Sequence, residues 1–286
     1  MANEASPVWW VTGTSTGIGR AVVEQVAAAG HRVIATARSL ASIQDYPERF
    51  GDRVLTVQQD VNHTHDNAAA LEAGLRAFGR IDVLMNNAGY GLEGPLEETT
   101  LEQVRHQMET NFFGLVDCTK LVIPHMRHQQ SGLIANVSSI AGLRGFNGLS
   151  IYNASKFAVA GFSEAMRQEL RPFNVKVVSI EPGPYKTDWA GRSLQHTEPM
   201  AKGDENSPYA TLHRTLKQGI DGMSGQQPGD PTQIADVLLS IYAANLKDVP
   251  IHLVFGDEAI QMWEDKQKRF SDTTYFDFFP HTRRSL

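Results

Sequence analysis

Short apolar runs rich in β-branched residues punctuate the chain at Val8 to Thr12, Arg32 to Thr36, Val54 to Gln58, Val83 to Asn86, Leu133 to Val137, Val175 to Ile180 and Ile251 to Phe255. Between them, apolar positions recur at helical spacing over Gly19 to Ala29, Asp66 to Phe78, Leu101 to Met126, Ser150 to Pro172 and Pro231 to Ala244. A strand with one wet face alternates apolar and polar residues, but these runs are nearly continuous and each is followed by a helix. The pattern predicts an α/β fold, a doubly wound sheet of seven parallel strands with helices on both faces. Adjacent Trp9 and Trp10 lie in a strand covered on both sides and read as core. Ligands of such sheets bind outside the carboxyl ends of the strands, and the polar, glycine-rich motifs of this chain fall there.

Two stretches break the alternation. Residues 188–222 are polar and rich in Gly, Pro, Ser and His, and read as a long mobile loop with a short helix, a lid over the site. From Asp257 to the end, residues 257–286, charged residues mix with Trp263, Phe270, Tyr275, Phe276, Phe278 and Phe279. This extension is expected either to dock its rings as a helix on the pocket or another subunit, or to lie as a frayed surface tail. No repeat intervenes, so residues 1–286 are expected to form one domain.

Composition narrows the function classes. With 41% hydrophobic residues, 286 residues can bury one substantial core. A net charge of -6 offers no concentrated basic surface, so no nucleic-acid partner is expected. No segment reaches the roughly 18 apolar residues of a membrane span, and the N-terminal residues lack an export signal. A soluble cytoplasmic protein is expected. Cys118, alone of its kind, sits in an apolar-periodic run and reads as a buried thiol. His63 with His65, and His125 with His128, lack carboxylate or thiol partners at ligand spacing, so no metal is expected.

The run Val11 to Gly19 follows the first strand and opens a helix, the context in which glycines can cradle phosphates. Gly13 permits a tight turn, Gly17 close approach to a pyrophosphate and Gly19 close packing of helix on strand. Ser15, Thr16 and Ile18 complete the loop, whose helix N-terminus offers unpaired N–H groups. A carboxylate at the end of the second strand would bind ribose hydroxyls and exclude a 2'-phosphate. This chain has Arg38 there, which can fork onto a phosphate, so NADP(H) is favoured over NAD(H). Asp60 and Val61 close the third strand, where the carboxylate can accept from an adenine amino group or simply cap a helix.

Tyr152 and Lys156 lie four apart in a helical run and share one face. A phenol, with a pKa near ~10, becomes a workable acid or base when an ammonium stands beside it. Thirteen residues earlier Ser139 ends a strand, where its hydroxyl can stabilise charge on a substrate oxygen; Ser138 competes for that role.

Taken together, these residues make the chain resemble the short-chain dehydrogenase/reductase family over about Val8 to Asp188. The chain carries Thr12-Gly13-x-x-x-Gly17-Ile18-Gly19, Asp60-Val61, Asn86-Asn87-Ala88-Gly89, Asn111, Ser138-Ser139, Tyr152-x-x-x-Lys156 and Pro182-Gly183-x-x-x-Thr187, in that order. The resemblance implies a Rossmann fold and a tetrad of Asn111, Ser139, Tyr152 and Lys156. Tyr152 would act as acid or base, Ser139 orient the carbonyl, Lys156 hold the nicotinamide ribose, and Asn111 position a relay water. It also implies that Asn87, Ala88, Gly89, Pro182 and Gly183 line the cofactor, that Thr187 meets its carboxamide, and that the protein is a homodimer or homotetramer.

Two departures matter. Thr16 stands where NADP-preferring relatives often have a base, leaving Arg38 as the 2'-phosphate candidate, and Tyr185 replaces a small β-branched residue and can shape the pocket floor. The pocket is expected from Tyr90, Gly91 and Leu92, from Ile140 to Phe146, and from Tyr185, Trp189 and Leu194, mostly apolar residues. A reductase of lipophilic ketones or aldehydes of steroid, retinoid, polyketide or acyl type is the expectation. The alternatives are an NAD-linked alcohol dehydrogenase and a non-catalytic dinucleotide sensor.

Overall fold

The computed structural model describes residues 6–187, 191–223, 227–244 and 249–271. Its elements run β1 (Val8–Val11), α1 (Gly17–Ala28), β2 (Arg32–Ala37), α2 (Tyr46–Phe50), β3 (Val54–Gln58), α3 (Thr64–Phe78), β4 (Val83–Asn86), β5 (Gly91–Glu93), α4 (Leu101–Met108), α5 (Gly114–Gln129), β6 (Gly132–Val137), α6 (Ser150–Leu170), β7 (Val175–Pro182), β8 (Leu194–His196), α7 (Glu198–Lys202), α8 (Ala210–Met223), α9 (Thr232–Ala243), β9 (His252–Phe255) and α10 (Asp257–Ser271).

Seven strands form one sheet in the order β3-β2-β1-β4-β6-β7-β9, and every neighbouring pair is parallel. The strand order reverses beside β1, which pairs with both β2 and β4. Splayed connections at such a switch point leave a crevice at the carboxyl ends of the strands.

Successive side chains of a strand point to opposite faces, and β1 shows what that demands of its sequence. Trp9 and Val11 pack with Val22 and Val26 of α1 and Ile234 and Leu238 of α9. Val8 and Trp10 pack on the other face with Leu71 of α3 and Cys118 and Val122 of α5. Both tryptophans are fully buried, each with its indole N–H satisfied, Trp9 by His31 Nδ1 at 3.0 Å and Trp10 by Gln59 Oε1 at 3.3 Å. Burial pushes the Cys118 thiol up to about 12, which keeps it an inert core group at neutral pH.

Two expectations are corrected. The continuous helix from Leu101 to Met126 is interrupted by a π-helical turn, Glu109–Phe113, which separates α4 from α5. Apolar spacing cannot register a single wide turn, because the flanking helices keep the same buried stripe. Residues 188–222, read as a loop with a short helix, contain β8, α7 and the 14-residue α8. β8 pairs in parallel with β5, Gly91 opposite Leu194 and Glu93 opposite His196. Two consecutive carboxylates hold the segment further. Tyr209 donates to Glu97 Oε2 at 2.6 Å, Ser207 donates to Glu98, and His213 Nε2 stands 2.7 Å from Glu98 Oε2.

The extension beyond Asp257 begins as the helix α10, whose Trp263 ring lies 5.4 Å from His252. The side chain of Phe270, and residues Tyr275, Phe276, Phe278 and Phe279, lie outside the described residues. Among the described residues no helix is long and apolar enough to cross a membrane.

Candidate active site

The crevice at the switch point is a cavity of about 580 Å³, and it gathers residues that the sequence scatters over most of the chain. Its floor is the turn between β1 and α1. Gly13 has φ +70°, and a Cβ there would stand 2.8 Å from the Cα of Ala88, so only glycine allows this approach of the two turns. Thr12 clamps the same contact. Its hydroxyl accepts from the N–H groups of Asn87 and Ala88, both at 3.0 Å, while Asn87 Nδ2 donates to the carbonyls of Thr12 and Gly13, both at 2.9 Å.

Helix α1 opens without a side-chain cap at Thr16, and Gly13, Ser15, Thr16, Gly17 and Ile18 line the cavity. The uncapped N–H groups and the positive end of the helix dipole suit an anionic pyrophosphate. Gly19, expected to serve close packing, sits behind them; a Cβ there would come within 2.5 Å of Asn87 Nδ2 and Gly13 O. These residues fit a dinucleotide.

At the far end of β2, Arg38 is exposed and lines the cavity. Its backbone carbonyl accepts from Gln58, and among the described residues no carboxylate pairs with its guanidinium. Asp60 and Val61 also line the cavity. The Asp60 carboxylate accepts from the N–H of Asn62 at 3.0 Å, closing a tight turn ahead of α3.

Across the crevice, Pro182, Gly183 and Thr187 follow β7. Thr187 faces the glycine turn, for a Cβ on Gly17 would lie 3.2 Å from its Cβ.

Helix α6 carries Tyr152, 7% exposed, and Lys156, 5% exposed, into the same cavity. Lys156 Nζ donates to Val137 O at 2.8 Å and stands 5.8 Å from the centroid of the Tyr152 ring. Enclosure of the ammonium pushes its pKa down to about 8.

Ser138 and Ser139 are separated by geometry. The Ser138 hydroxyl is buried and donates to the carbonyl of Lys156 at 2.9 Å, tying β6 to α6. Ser139 Oγ accepts from the N–H of Ala141 at 3.0 Å and donates to none of the described groups, which leaves its proton for a substrate oxygen.

Asn111 lies in the π turn, 1% exposed. Its Nδ2 donates to Tyr90 O at 2.9 Å and to Ser155 Oγ at 3.0 Å, and its Oδ1 accepts from Tyr90 N at 3.0 Å. A Cβ on Gly89 would lie 3.1 Å from Asn111 Oδ1 and 3.6 Å from Lys156 Nζ, so Gly89, Asn111 and Lys156 meet at one point.

Sequence reading missed Asn153. Its side chain donates to the carbonyls of Ala141 and Arg144 and accepts from the N–H of Phe146, pinning the loop after β6 against the turn that carries Tyr152. Its place directly after Tyr152 was the only available signal. It also missed Glu93, Gln195 and Met262 as lining residues.

Of the expected pocket residues, Tyr90, Ile140, Ala141, Phe146 and Tyr185 line the cavity. Gly91, Leu92 and Leu194 do not, nor do residues 142–145 within the expected Ile140 to Phe146 stretch. Gly91 and Leu92 belong to β5 and Leu194 to β8; Leu92 and Leu194 are buried, while Glu93 at the end of β5 and the exposed Gln195 of β8 line the cavity. Trp189 lies outside the described residues. Tyr185 is held in the core by its hydroxyl, which donates to Gln233 at 3.0 Å.

The profile of short chain dehydrogenases matches residues 7–198. Among characterised or named relatives, the chain is 36% identical to "Oxidoreductase BOA17" of Botryotinia fuckeliana, over 89% of this chain and 90% of that one. It is 41% identical to the 3-ketodihydrosphingosine reductase of Bacteroides thetaiotaomicron over 62% of this chain and 63% of that one. It is 34% identical to retinol dehydrogenase 8 of Bos taurus over 78% and 75% of the two chains. Among solved structures, a short-chain dehydrogenase from Streptomyces avermitilis superposes with a TM-score of 0.86 at 33% identity, covering 98% of this chain and 99% of that one. A serine dehydrogenase complexed with NADP+ superposes with a TM-score of 0.72 at 26% identity, covering 87% and 94%. A Burkholderia phymatum protein in complex with NAD shares the fold, with a TM-score of 0.78 at 24% identity over 94% and 96% of the two chains.

Proposed function

The chain belongs to the short-chain dehydrogenases, a family of oxidoreductases binding a nicotinamide dinucleotide, and from that premise we propose that it is an NADP(H)-dependent reductase of lipophilic ketones or aldehydes. When bound, the nicotinamide supplies the hydride. The chain's own residues manage the proton. Tyr152 hands its phenolic proton to the substrate oxygen, and Ser139 donates a hydrogen bond to the same oxygen. Lys156 holds the nicotinamide ribose and stabilises the phenolate left behind. Asn111 braces the turn at Tyr90 against α6, where it would hold the water that returns the proton.

One observation carries this reading: the buried ammonium of Lys156 beside the Tyr152 ring, in the same cavity as the uncapped start of α1. An idle sensor has no use for a charge held out of water at that cost. When the dinucleotide is bound, Asp60 and Val61 would meet the adenine, Asn87, Ala88, Gly89, Pro182 and Gly183 would line the cofactor, and Thr187 would meet its carboxamide. The apolar wall of Ile140, Phe146, Leu149, Leu216, Ile220 and Met262 supports a lipophilic substrate. The relatives named for a ketosphingosine and for retinol lend the same support. We read the enzyme as a single-domain cytoplasmic homodimer or homotetramer that takes a small carbonyl substrate and needs no metal, membrane or nucleic acid.

Arg38 carries the cofactor preference. Substituting Arg38→Ala should weaken NADPH binding by about 10- to 100-fold, the worth of one or two charge-assisted hydrogen bonds, and leave NADH binding nearly unchanged. Fluorescence titration with both cofactors reads this directly. Equal losses for the two, or tighter NADH binding by the wild type, would favour the NAD-linked alcohol dehydrogenase.

The pH profile tests Lys156. Reduction needs protons on both Tyr152 and Lys156, so kcat/KM should fall on the alkaline side as the pair loses its first proton, with an apparent pKa near the value of about 8 set by burial of Lys156. A flat profile to pH 10 would contradict this assignment.

A further inference from the structure

The cavity holds a buried carboxylate that the chemistry above does not use. Glu93 ends β5 with its side chain 3% exposed, and it lines the cavity. Among the described residues only His196, on the paired strand, comes within ion-pair distance, with Nδ1 3.3 Å from Oε2. That contact is not a hydrogen bond, and Oε2 accepts from no described group. An enclosed carboxylate without donors is costly, so it is retained where something else completes it.

The backbone gives this side chain no retreat. Gly91 N donates to Ser193 O, Thr197 N to Glu93 O, and Gly94 N to Gly148 O, at 2.7, 2.9 and 2.8 Å. Gly94 adopts φ +146°, and a Cβ there would collide with Thr197 Oγ1 at 2.3 Å, so glycine is required to aim the chain past this point. The bond to Gly148 also fixes Glu93 beside the segment that leads into Tyr152, in the substrate half of the cavity. That half sets an apolar wall of Phe146, Leu149, Leu216 and Ile220 beside polar residues such as Asn147, Ser193 and Gln195. A buried unsatisfied acceptor beside such a wall selects for the ligand that brings a donor to it, and discriminates against an analogue without one far more strongly than an extra methylene does.

Resting on the reductase reading, we propose that Glu93 is a specificity residue that accepts a hydrogen bond from an ammonium or hydroxyl group borne by the substrate near its carbonyl, so that the substrate class is long-chain amino ketones or hydroxy ketones. The apolar chain lies along Phe146, Leu149 and Leu216, and the donor group is read by the carboxylate.

The test uses the full chain saturated with whichever of NADP+ and NAD+ binds more tightly. Three alcohols of one alkyl length are titrated by calorimetry: a 2-amino alcohol, a vicinal diol and the plain secondary alcohol. The corresponding ketones are assayed in parallel for kcat/KM. Donor-bearing ligands should bind about 100-fold more tightly than the plain alcohol. Glu93→Leu should erase that preference, and Glu93→Gln should remove most of the ammonium preference while keeping part of the hydroxyl one. Cofactor affinity serves as the check that each variant has folded, and Glu93→Gln, which keeps the shape of the side chain, carries the test if Glu93→Leu does not. Equal affinity for the three ligands in the wild type, no binding of any, or a preference that survives in both variants overturns the proposal. Preferential binding without reduction of any ketone leaves Glu93 as assigned and overturns the reductase reading. Reduction with no preference does the reverse.

Discussion

Substitution Tyr152→Phe should lower kcat for carbonyl reduction by about 10²- to 10⁴-fold, the usual worth of a positioned proton donor, while dinucleotide affinity stays within about twofold. The phenyl ring fills the same nearly enclosed place, since Tyr152 is only 7% exposed. The cofactor's contacts at the glycine turn and Lys156 are untouched. A loss confined to kcat separates proton transfer from binding, which a structural role for the ring would not do. Another tyrosine of the cavity offers a control. Burial pushes Tyr90 up to about 12, and its hydroxyl stands 2.7 Å from His106 Nδ1 at a half-buried edge. Tyr90→Phe should therefore retain kcat within about tenfold. If the two variants lost activity equally, Tyr152 would not be the proton donor.

The largest stability effect is expected at His252. Its Nδ1 meets Glu181 Oε1 at 3.0 Å and its Nε2 meets Glu164 Oε1 at 3.2 Å, joining β9 to β7 and α6 beneath Trp263 of α10. Glu181 is fully buried, and burial raises its pKa; the hydrogen bond to Glu181 raises that of His252. His252→Ala leaves Glu181 enclosed without its charged partner, a loss of roughly 3–5 kcal/mol or about 10 °C in Tm at pH 7. The signs fix the pH dependence. A histidine whose pKa is raised by folding contributes its full stabilisation below the ordinary value near ~6.5 and loses it as pH climbs through the raised one. The raised pKa of Glu181 means that its ionisation is penalised above the ordinary carboxylate range. In the wild type the His252 contribution is fully present at pH 5 and declines as pH climbs through its raised pKa. Calorimetric scans at pH 7 measure the loss; a Tm gap that is absent there contradicts the pairing.

The sheet was legible because its code is short-range. Seven continuous apolar runs announced seven parallel strands, and the pair Trp9-Trp10 announced a strand covered on both faces, since neighbouring residues cannot share a side. The site was legible where it depends on glycine or on fixed spacing, as at Gly13 and along the face shared by Tyr152 and Lys156. Features created by distant pairing were not. β5 and β8 are three residues each, too short to show a period, and become strands only because residues 91 and 194 meet. That pairing buries Leu92 and Leu194, and Glu93 and Gln195, on opposite faces of the ribbon, line the cavity. The π turn at Asn111 left no mark in the apolar stripe of Leu101 to Met126. Asn153 binds three backbone groups of a loop whose course the sequence does not state.

The measurement closest to the central claim follows the transferred atom. NADPH carrying deuterium at nicotinamide C4 is incubated with the enzyme and a long-chain ketone, in parallel with NADH labelled in the same way, and the alcohol is analysed by mass spectrometry. The account predicts one deuterium on the carbinol carbon, delivered faster from NADPH than from NADH and lost in Tyr152→Phe. Unlabelled alcohol, label delivered only to small polar sugars, or delivery indifferent to Tyr152 would contradict it.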